Sequence, residues 1–280
     1  MPDSRLRWPR VSWRPQEELK VNRATGQVPH IAARALAALD LTSLGEDDSP
    51  ARIEALCASA VGPGGLPAAL CVYPEHIATA RRALDAAGAQ GVKVATVVDF
   101  PDGSTNSERV ARETRRAVAA GADEVDMVLP WQALLAGDRE SARRCVLACR
   151  EAAAGRVLKV ILESGALAEP AVIRAASELA LDAGADFIKT STGKTAMGAT
   201  PEAARVMLET LRDRGGRAGF KASGGVRTLE DAATYLDLAD EILGAGWATP
   251  AHFRIGASGL LAEIRAALGA PAGGEGKPGS

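Results

Sequence analysis

Short apolar runs alternate along this chain with longer stretches whose apolar positions recur every three or four residues. The first pattern suits strands buried on both faces, and the second suits helices with one buried face. Strands are predicted near Ala37–Leu41, Ala68–Val72, Val92–Val98, Glu124–Leu129, Leu158–Leu162, Phe187–Lys189, Gly219–Ala222 and Phe253–Gly256. Helices are predicted near Ser49–Ala60, Pro74–Ala87, Ser107–Ala119, Asp138–Ala153, Glu169–Ala183, Pro201–Arg212, Thr228–Leu238 and Ser258–Leu268. Several open on capping signals: Ser49 then Pro50, Ser107 then Glu108, Thr200 then Pro201, and Thr228 ahead of Glu230. Two similar turns, Ala119–Asp123 and Asp182–Asp186, each place a glycine past a helix end and then enter a strand. Strict strand–helix alternation predicts a parallel sheet, and eight such units close as a (β/α)8 TIM barrel of α/β class. The competing open, doubly wound sheet lacks its G-x-G-x-x-G after the first strand.

The ends of the chain break this rhythm. Residues 1–30 are rich in Pro, Arg and Trp without periodicity and read as a basic, loosely ordered extension. Residues 271–280 (PAGGEGKPGS) read as a flexible tail, leaving 31–270 as one barrel domain. Composition adds exclusions. At 280 residues, 47% apolar and 24% charged, the chain can build a sizeable core. A net charge of −2 and 4% aromatics give no surface suited to nucleic acid or to an anionic membrane. No apolar run approaches a membrane span, and the basic N-terminus lacks the apolar stretch of a signal peptide, so a cytoplasmic location is expected. Cys57, Cys71, Cys145 and Cys149 show no C-x-x-C spacing and read as buried thiols of a reducing compartment. His30, His76 and His252 form no ligand pattern, so neither a metal nor another cofactor is expected.

In a barrel of this kind the chemistry gathers at the C-terminal strand ends. Those positions hold Asp40 and Thr42, Cys71 and Tyr73, Asp99, Asp126, Glu163 and Ser164, Lys189, Lys221, and Gly256 to Gly259. Alternation along each strand allows a register in which Asp126, Lys189 and Lys221 all face the barrel interior. Two lysines with a carboxylate suggest amine chemistry. A free lysine, with a pKa of about 10.4, is neutral only roughly once in 2,500 at neutral pH. Bringing it near 7 takes about 4.6 kcal/mol. A second ammonium about 5 Å away supplies on the order of 3 kcal/mol at an effective dielectric of 20, and desolvation can supply the rest. Such a lysine can form a Schiff base with a carbonyl. A purely structural ion pair between Asp126 and either lysine accounts for the same residues, so the pattern alone leaves both readings open. The glycines point elsewhere. Ser223-Gly224-Gly225 follows the seventh strand, and Gly256-Ala257-Ser258-Gly259 runs into the last helix, where such barrels commonly hold phosphate on backbone N–H groups. Lys194 can add a charge there. Gly193-Lys194-Thr195 imitates the end of a P-loop, but Ile188 stands where that motif needs glycine, which excludes it.

The motifs FIKTSTGK (Phe187–Lys194), GFKASGGVRT (Gly219–Thr228), ADEVDMV (Ala122–Val128) and LDLT (Leu39–Thr42) resemble those of the deoxyribose-phosphate aldolases, which are class I, Schiff-base-forming enzymes. CVYPEHI, VVDFPDG, LKVILESG and FRIGASGLL extend the resemblance in collinear order from about Ala32 to Leu268. It implies reversible cleavage of 2-deoxy-D-ribose 5-phosphate to acetaldehyde and D-glyceraldehyde 3-phosphate in deoxyribonucleotide catabolism. It also implies that Lys189 forms the Schiff base, Lys221 perturbs its pKa, and Asp126 relays protons. Asp40, Thr42 and Cys71 would line the pocket. Gly193, Lys194, Gly224, Gly225, Gly256, Ser258 and Gly259 would hold the phosphate. Gly259 departs from members with a serine there, and Gly279-Ser280 from members ending in tyrosine. The expected partners are phosphosugar and aldehyde substrates and, as in many members, a second copy in a homodimer. Two alternatives stay open on sequence grounds: a Schiff-base aldolase for another phosphosugar, and a non-catalytic sugar-phosphate binder, for which the lysine–carboxylate group would be superfluous.

Overall fold

The computed structural model describes residues 27–269; the N-terminal arm up to residue 26 and residues 270–280, which include the expected tail, lie outside the described residues. The chain runs α1 (Val28–Ala37), β1 (Leu39–Thr42), α2 (Pro50–Ala60), β2 (Ala69–Val72), α3 (Ile77–Ala86), β3 (Lys93–Val98) and α4 (Ser107–Ala119). It continues through β4 (Glu124–Val128), α5 (Trp131–Leu135), α6 (Arg139–Ala152), β5 (Val157–Ile161), α7 (Ser164–Leu167) and α8 (Pro170–Asp182). It closes with β6 (Phe187–Lys189), α9 (Pro201–Asp213), β7 (Gly219–Ser223), α10 (Leu229–Leu243), β8 (Phe253–Ala257) and α11 (Leu260–Gly269). All eight strands pair in parallel, each with its sequence neighbours, and β1 pairs with β8 to close the barrel. The (β/α)8 expectation holds.

Strand periodicity sorts the core into two regions. Outward positions such as Leu41, Leu70, Val94, Val125, Met127, Val160, Ile188, Phe220 and Ile255 join the buried faces of the helices in one continuous apolar layer. Inside the barrel the lining is uneven. Ala69, Cys71, Ala95 and Val97 make a small apolar cluster on β2 and β3, whereas the other strands send charged side chains inward. The two lysines of β6 and β7 fall side by side, because Lys189 pairs in register with Lys221.

Several local features depart from the sequence-based expectations, the short helices α5 and α7 among them. Helix α1 crosses the expected boundary at residue 30, and β1 begins at Leu39 rather than Ala37. Ala32, Ala35 and Leu36 form a helical stripe buried against α10 and α11, and Arg34 grips Asp240 with two bonds of 2.7 and 2.8 Å. Pro29 sits in the first turn, where its missing N–H costs nothing. The helix expected from Pro74 begins as a 3-10 turn, Pro74–His76, before α3. Asn106 rather than Ser107 caps α4, accepting from the Arg109 N–H at 2.9 Å. The other caps form where expected: Ser49 and Thr200 accept from backbone N–H groups three residues on, and Thr228 makes a capping box with Asp231. All four cysteines are buried and free, and burial pushes the Cys57 and Cys145 thiols up to about 11 and the Cys149 thiol to about 12. No described helix is long and apolar enough to cross a membrane.

Candidate active site

The inward faces of β1 and β4–β8 build a buried cluster of seven charged side chains. Asp126 stands at its centre. One carboxylate oxygen, Oδ2, accepts from Lys189 Nζ at 2.8 Å and from Lys221 Nζ at 2.7 Å; the other, Oδ1, accepts from Lys159 Nζ at 2.9 Å. Lys221 also donates to Asp40 Oδ2 at 2.5 Å, and Lys159 to Glu124 Oε2 at 2.5 Å. Arg254 bridges the two outer carboxylates, reaching Asp40 Oδ1 and Glu124 Oε1 at 2.7 Å each. The register that alternation allows for Asp126, Lys189 and Lys221 is the one the barrel adopts, and all three are buried.

The two neighbouring lysines respond in opposite directions. Burial depresses the pKa of Lys189; Asp126 opposes that, and Lys221 adds to it. Lys221 is pulled down by burial as well, but Asp126 and Asp40 outweigh it and raise its pKa. The difference follows from partner number: Lys221 touches two carboxylates, and Lys189 touches one oxygen that it shares. From the sequence, the second ammonium was expected to be the main cause of a neutral Lys189. In the folded protein burial is the leading cause of the lowering, and the Lys221 ammonium adds to it. Burial pushes both aspartates up, yet the surrounding cations hold both carboxyls well below the usual range, led by Lys221 at Asp40 and by Lys159 at Asp126.

Above this cluster opens a cavity of about 410 Å3. Lys189 reaches it from below, and its rim is built from Gly193, Lys194, Gly224, Gly225, Ser258 and Gly259. Thr42 and Gly256 line it too. Asp40 and Cys71, expected in the pocket wall, do not. Asp40 is one layer deeper than Thr42 on the same face of β1, where Lys221 and Arg254 occupy it. Cys71 packs in the inner apolar cluster. Gly256 leaves room for its neighbours, since a Cβ there would lie 3.0 Å from Lys221 Cε and 2.9 Å from Ser223 Cβ.

The rim is held by bonds between loops. Thr190 Oγ1 donates to Ser223 O at 2.9 Å and accepts from Ser223 N–H at 2.9 Å, joining the ends of β6 and β7. Ala199 N–H donates to Gly224 O at 2.8 Å, a closeness that Gly198 permits, since a Cβ there would sit 2.2 Å from the same oxygen. Glu163, in the left-handed region at φ 57, accepts from Thr192 Oγ1 at 2.6 Å and Thr195 Oγ1 at 3.1 Å. Lys194 Nζ donates to Leu44 O at 2.6 Å across the mouth. Gly193, Gly224 and Gly225 all have positive φ, which turns their backbone without a Cβ penalty.

Sequence reasoning missed Glu124, Lys159 and Arg254, and also Ser43, Asp48, Arg52 and Arg227 around the cavity. The signal for the first three was available in the alternation that placed Asp126. Glu124 lies two residues before it on the same face, and Lys159 and Arg254 interrupt otherwise apolar strands.

A closed parallel barrel with a buried lysine–carboxylate cluster beneath a cavity at its C-terminal mouth defines a TIM-barrel protein with its polar site where that fold carries one. Within that class, this chain belongs to the DeoC/LacD family of aldolases, whose family model matches residues 34–263. Solved structures agree. A protein from Coccidioides immitis, provisionally named a deoxyribose-phosphate aldolase, is 32% identical with a TM-score of 0.73, over 84% of this chain and 87% of its own. One from Toxoplasma gondii, also provisionally named so, is 25% identical with a TM-score of 0.80, over 86% and 96%. The deoxyribose phosphate aldolase of Aeropyrum pernix, described as a tetramer, shares the fold at 24% identity and a TM-score of 0.68, over 88% and 98%.

Proposed function

We propose that this aldolase cleaves 2-deoxy-D-ribose 5-phosphate reversibly to acetaldehyde and D-glyceraldehyde 3-phosphate through a Schiff base on Lys189. One observation carries the reading: a single cavity has Lys189 at its floor and the glycine-rich loops after β6, β7 and β8 at its rim. A substrate with a carbonyl at one end and a phosphate at the other fits that division. Backbone N–H groups of Gly193, Gly224 and Gly225, with Ser258 and Gly259 just ahead of α11, receive the phosphate, and Lys194 adds a cation.

The neutral amine of Lys189 attacks the C1 carbonyl. The nitrogen loses a proton and the resulting carbinolamine oxygen gains one; a second proton, from Lys221, then lets that hydroxyl leave as water and gives the iminium. The C3 hydroxyl then loses its proton, the C2–C3 bond breaks, and its electron pair passes into the iminium to form an enamine. Protonation of the enamine at C2 and addition of water release acetaldehyde and restore Lys189. Asp126 is hydrogen-bonded to both Lys189 and Lys221, so proton traffic between those amines and a water in the cavity runs across its carboxylate. Lys221, protonated at the outset in keeping with its raised pKa, lends the proton that turns the hydroxyl into water and regains one when the iminium is hydrolysed. The test is direct assay of the retro-aldol reaction. Cleavage of 2-deoxyribose 5-phosphate by the native chain, lost in Lys189→Leu, supports the proposal; cleavage of only some other phosphosugar overturns its substrate. Light scattering tests the expected homodimer against a tetramer like that of the Aeropyrum protein.

A further inference from the structure

Four cations and three carboxylates share the buried interior: Lys159, Lys189, Lys221 and Arg254 against Asp40, Glu124 and Asp126. With every group ionised the cluster carries one positive charge too many, in a space where an unbalanced charge is costly. Which cation is in surplus follows from the contacts. Lys221 holds Asp40 and Asp126, Arg254 holds Asp40 and Glu124, and Lys159 holds Glu124 and Asp126 with Asp40 3.6 Å away. Each of these three closes a bridge between two carboxylates. Lys189 alone has one carboxylate, on an oxygen already given to Lys221, and it alone of the seven reaches the cavity.

We propose that Lys159 and Arg254 are positioning residues for the reaction: by engaging the carboxylates from below they deny Lys189 a counter-charge of its own and so keep it a free amine. The inference rests on Lys189 being the reacting lysine, but it concerns the protonation of that amine, which can be read without any aldehyde. The groups facing Lys189 are few. Strand β1 contributes Asp40, β2 Cys71, β4 Glu124 and Asp126, β5 Lys159, β7 Lys221 and β8 Arg254, whereas β3 presents only Ala95 and Val97. Two further buried acids follow strand ends: Glu163 is turned to Thr192 and Thr195, and Asp99 after β3 accepts from Ser104 Oγ at 2.8 Å.

The charge count makes opposite predictions for opposite deletions, which a merely structural role does not. Lys159→Met leaves three cations for three carboxylates. Lys189 then becomes a matched cation, and its midpoint moves up by about 1–2 pH units, a roughly 10- to 100-fold loss of free amine at fixed pH. Glu124→Gln leaves four cations for two carboxylates and moves the midpoint down. Lys159→Arg keeps the count and holds the native midpoint. The measurement is competitive acetylation of the full chain across pH with acetic anhydride, following the Lys189 peptide by mass spectrometry. Where Lys159→Met does not fold, Arg254→Met removes a cation in its place, and the direction of Glu124→Gln decides if neither folds. Opposite shifts with Arg rescue establish the inference. A midpoint unmoved by these changes, or moved the same way by Met and Gln, overturns it. Failure of the aldolase reading is separate: the shifts would appear while no substrate carbonyl is ever captured on Lys189.

Discussion

An alanine at Gly219 would place its Cβ 2.3 Å from Cε1 of Phe187, with Cδ1 and Cζ of the same ring at 2.5 and 2.7 Å. Gly219 pairs in register with Phe187 across β6 and β7, and both are buried. The ring also lies under the Arg254 guanidinium, 5.6 Å from its centroid, beneath the ionic cluster. No backbone strain is involved, since the φ of Gly219 lies outside the left-handed region. The cost is therefore steric. Relieving it takes a displacement of about 1 Å at the ring in a closed barrel, an overpacking of roughly 1–3 kcal/mol. For a domain of this size that lowers Tm by roughly 2–12 °C. Phe187 is two residues from Lys189 on a three-residue strand, so the amine moves with it. Misplacement on that scale costs up to about 100-fold in kcat/KM. Differential scanning calorimetry and retro-aldol kinetics on Gly219→Ala measure both effects. Phe187→Leu in the same chain removes the clashing ring atoms, and a double-mutant cycle is expected to return a favourable coupling of about 1–2 kcal/mol. Gly91→Ala is the control, because a Cβ there meets nothing within 4 Å. A Gly219→Ala protein as stable and active as the native one, or one that Phe187→Leu does not rescue, refutes the reasoning.

Three further outcomes follow from the same geometry. The carboxyls of Asp40 and Asp126 are held below their unfolded values, so the stability they confer is present above the unfolded pKa of about 3.9 and is lost as pH falls through the folded values; acid unfolding should set in below about pH 4 and come earlier in Lys221→Met, as followed by circular dichroism. Lys194→Ala removes the cation at the cavity rim and should raise KM for a phosphorylated substrate about tenfold with a smaller change in kcat, whereas equal loss on an unphosphorylated analogue would remove Lys194 from phosphate binding. Glu163→Gln weakens the anchor of Thr192 and Thr195, and steady-state kinetics should show the loss mainly in KM if the loop after β6 carries the phosphate.

Much of this molecule is written in local pattern, and the exceptions have physical reasons. Strand and helix alternation was legible because parallel strands covered on both faces are nearly all apolar, so Val94–Val98 or Val125–Val128 stand out. Helix α1 was not, because Arg- and Pro-rich sequence precedes it and its buried stripe is made largely of small alanines. Lys189, Lys221 and Asp126 were legible because they end strands. Glu124, Lys159 and Arg254 do not stand out in the same way: they lie below the C-terminal strand ends, and charge at the start or middle of a strand reads as an edge rather than as an interior. Asp40 was legible as an inward residue but not its depth, since closure of β1 on β8 sets which layer it joins. The leading effect at Lys189 is its burial by the closed barrel, a three-dimensional fact that no spacing encodes.

The central claim is that Lys189 is a free amine that captures a carbonyl. Acetaldehyde with borohydride, followed by peptide mass spectrometry, tests it most directly. The expected result is a reduced two-carbon adduct, a gain of about 28 Da, on the peptide carrying Lys189 and none in Lys189→Leu. A native chain that yields no adduct at Lys189, or carries it on Lys221 or Lys159 instead, contradicts that claim.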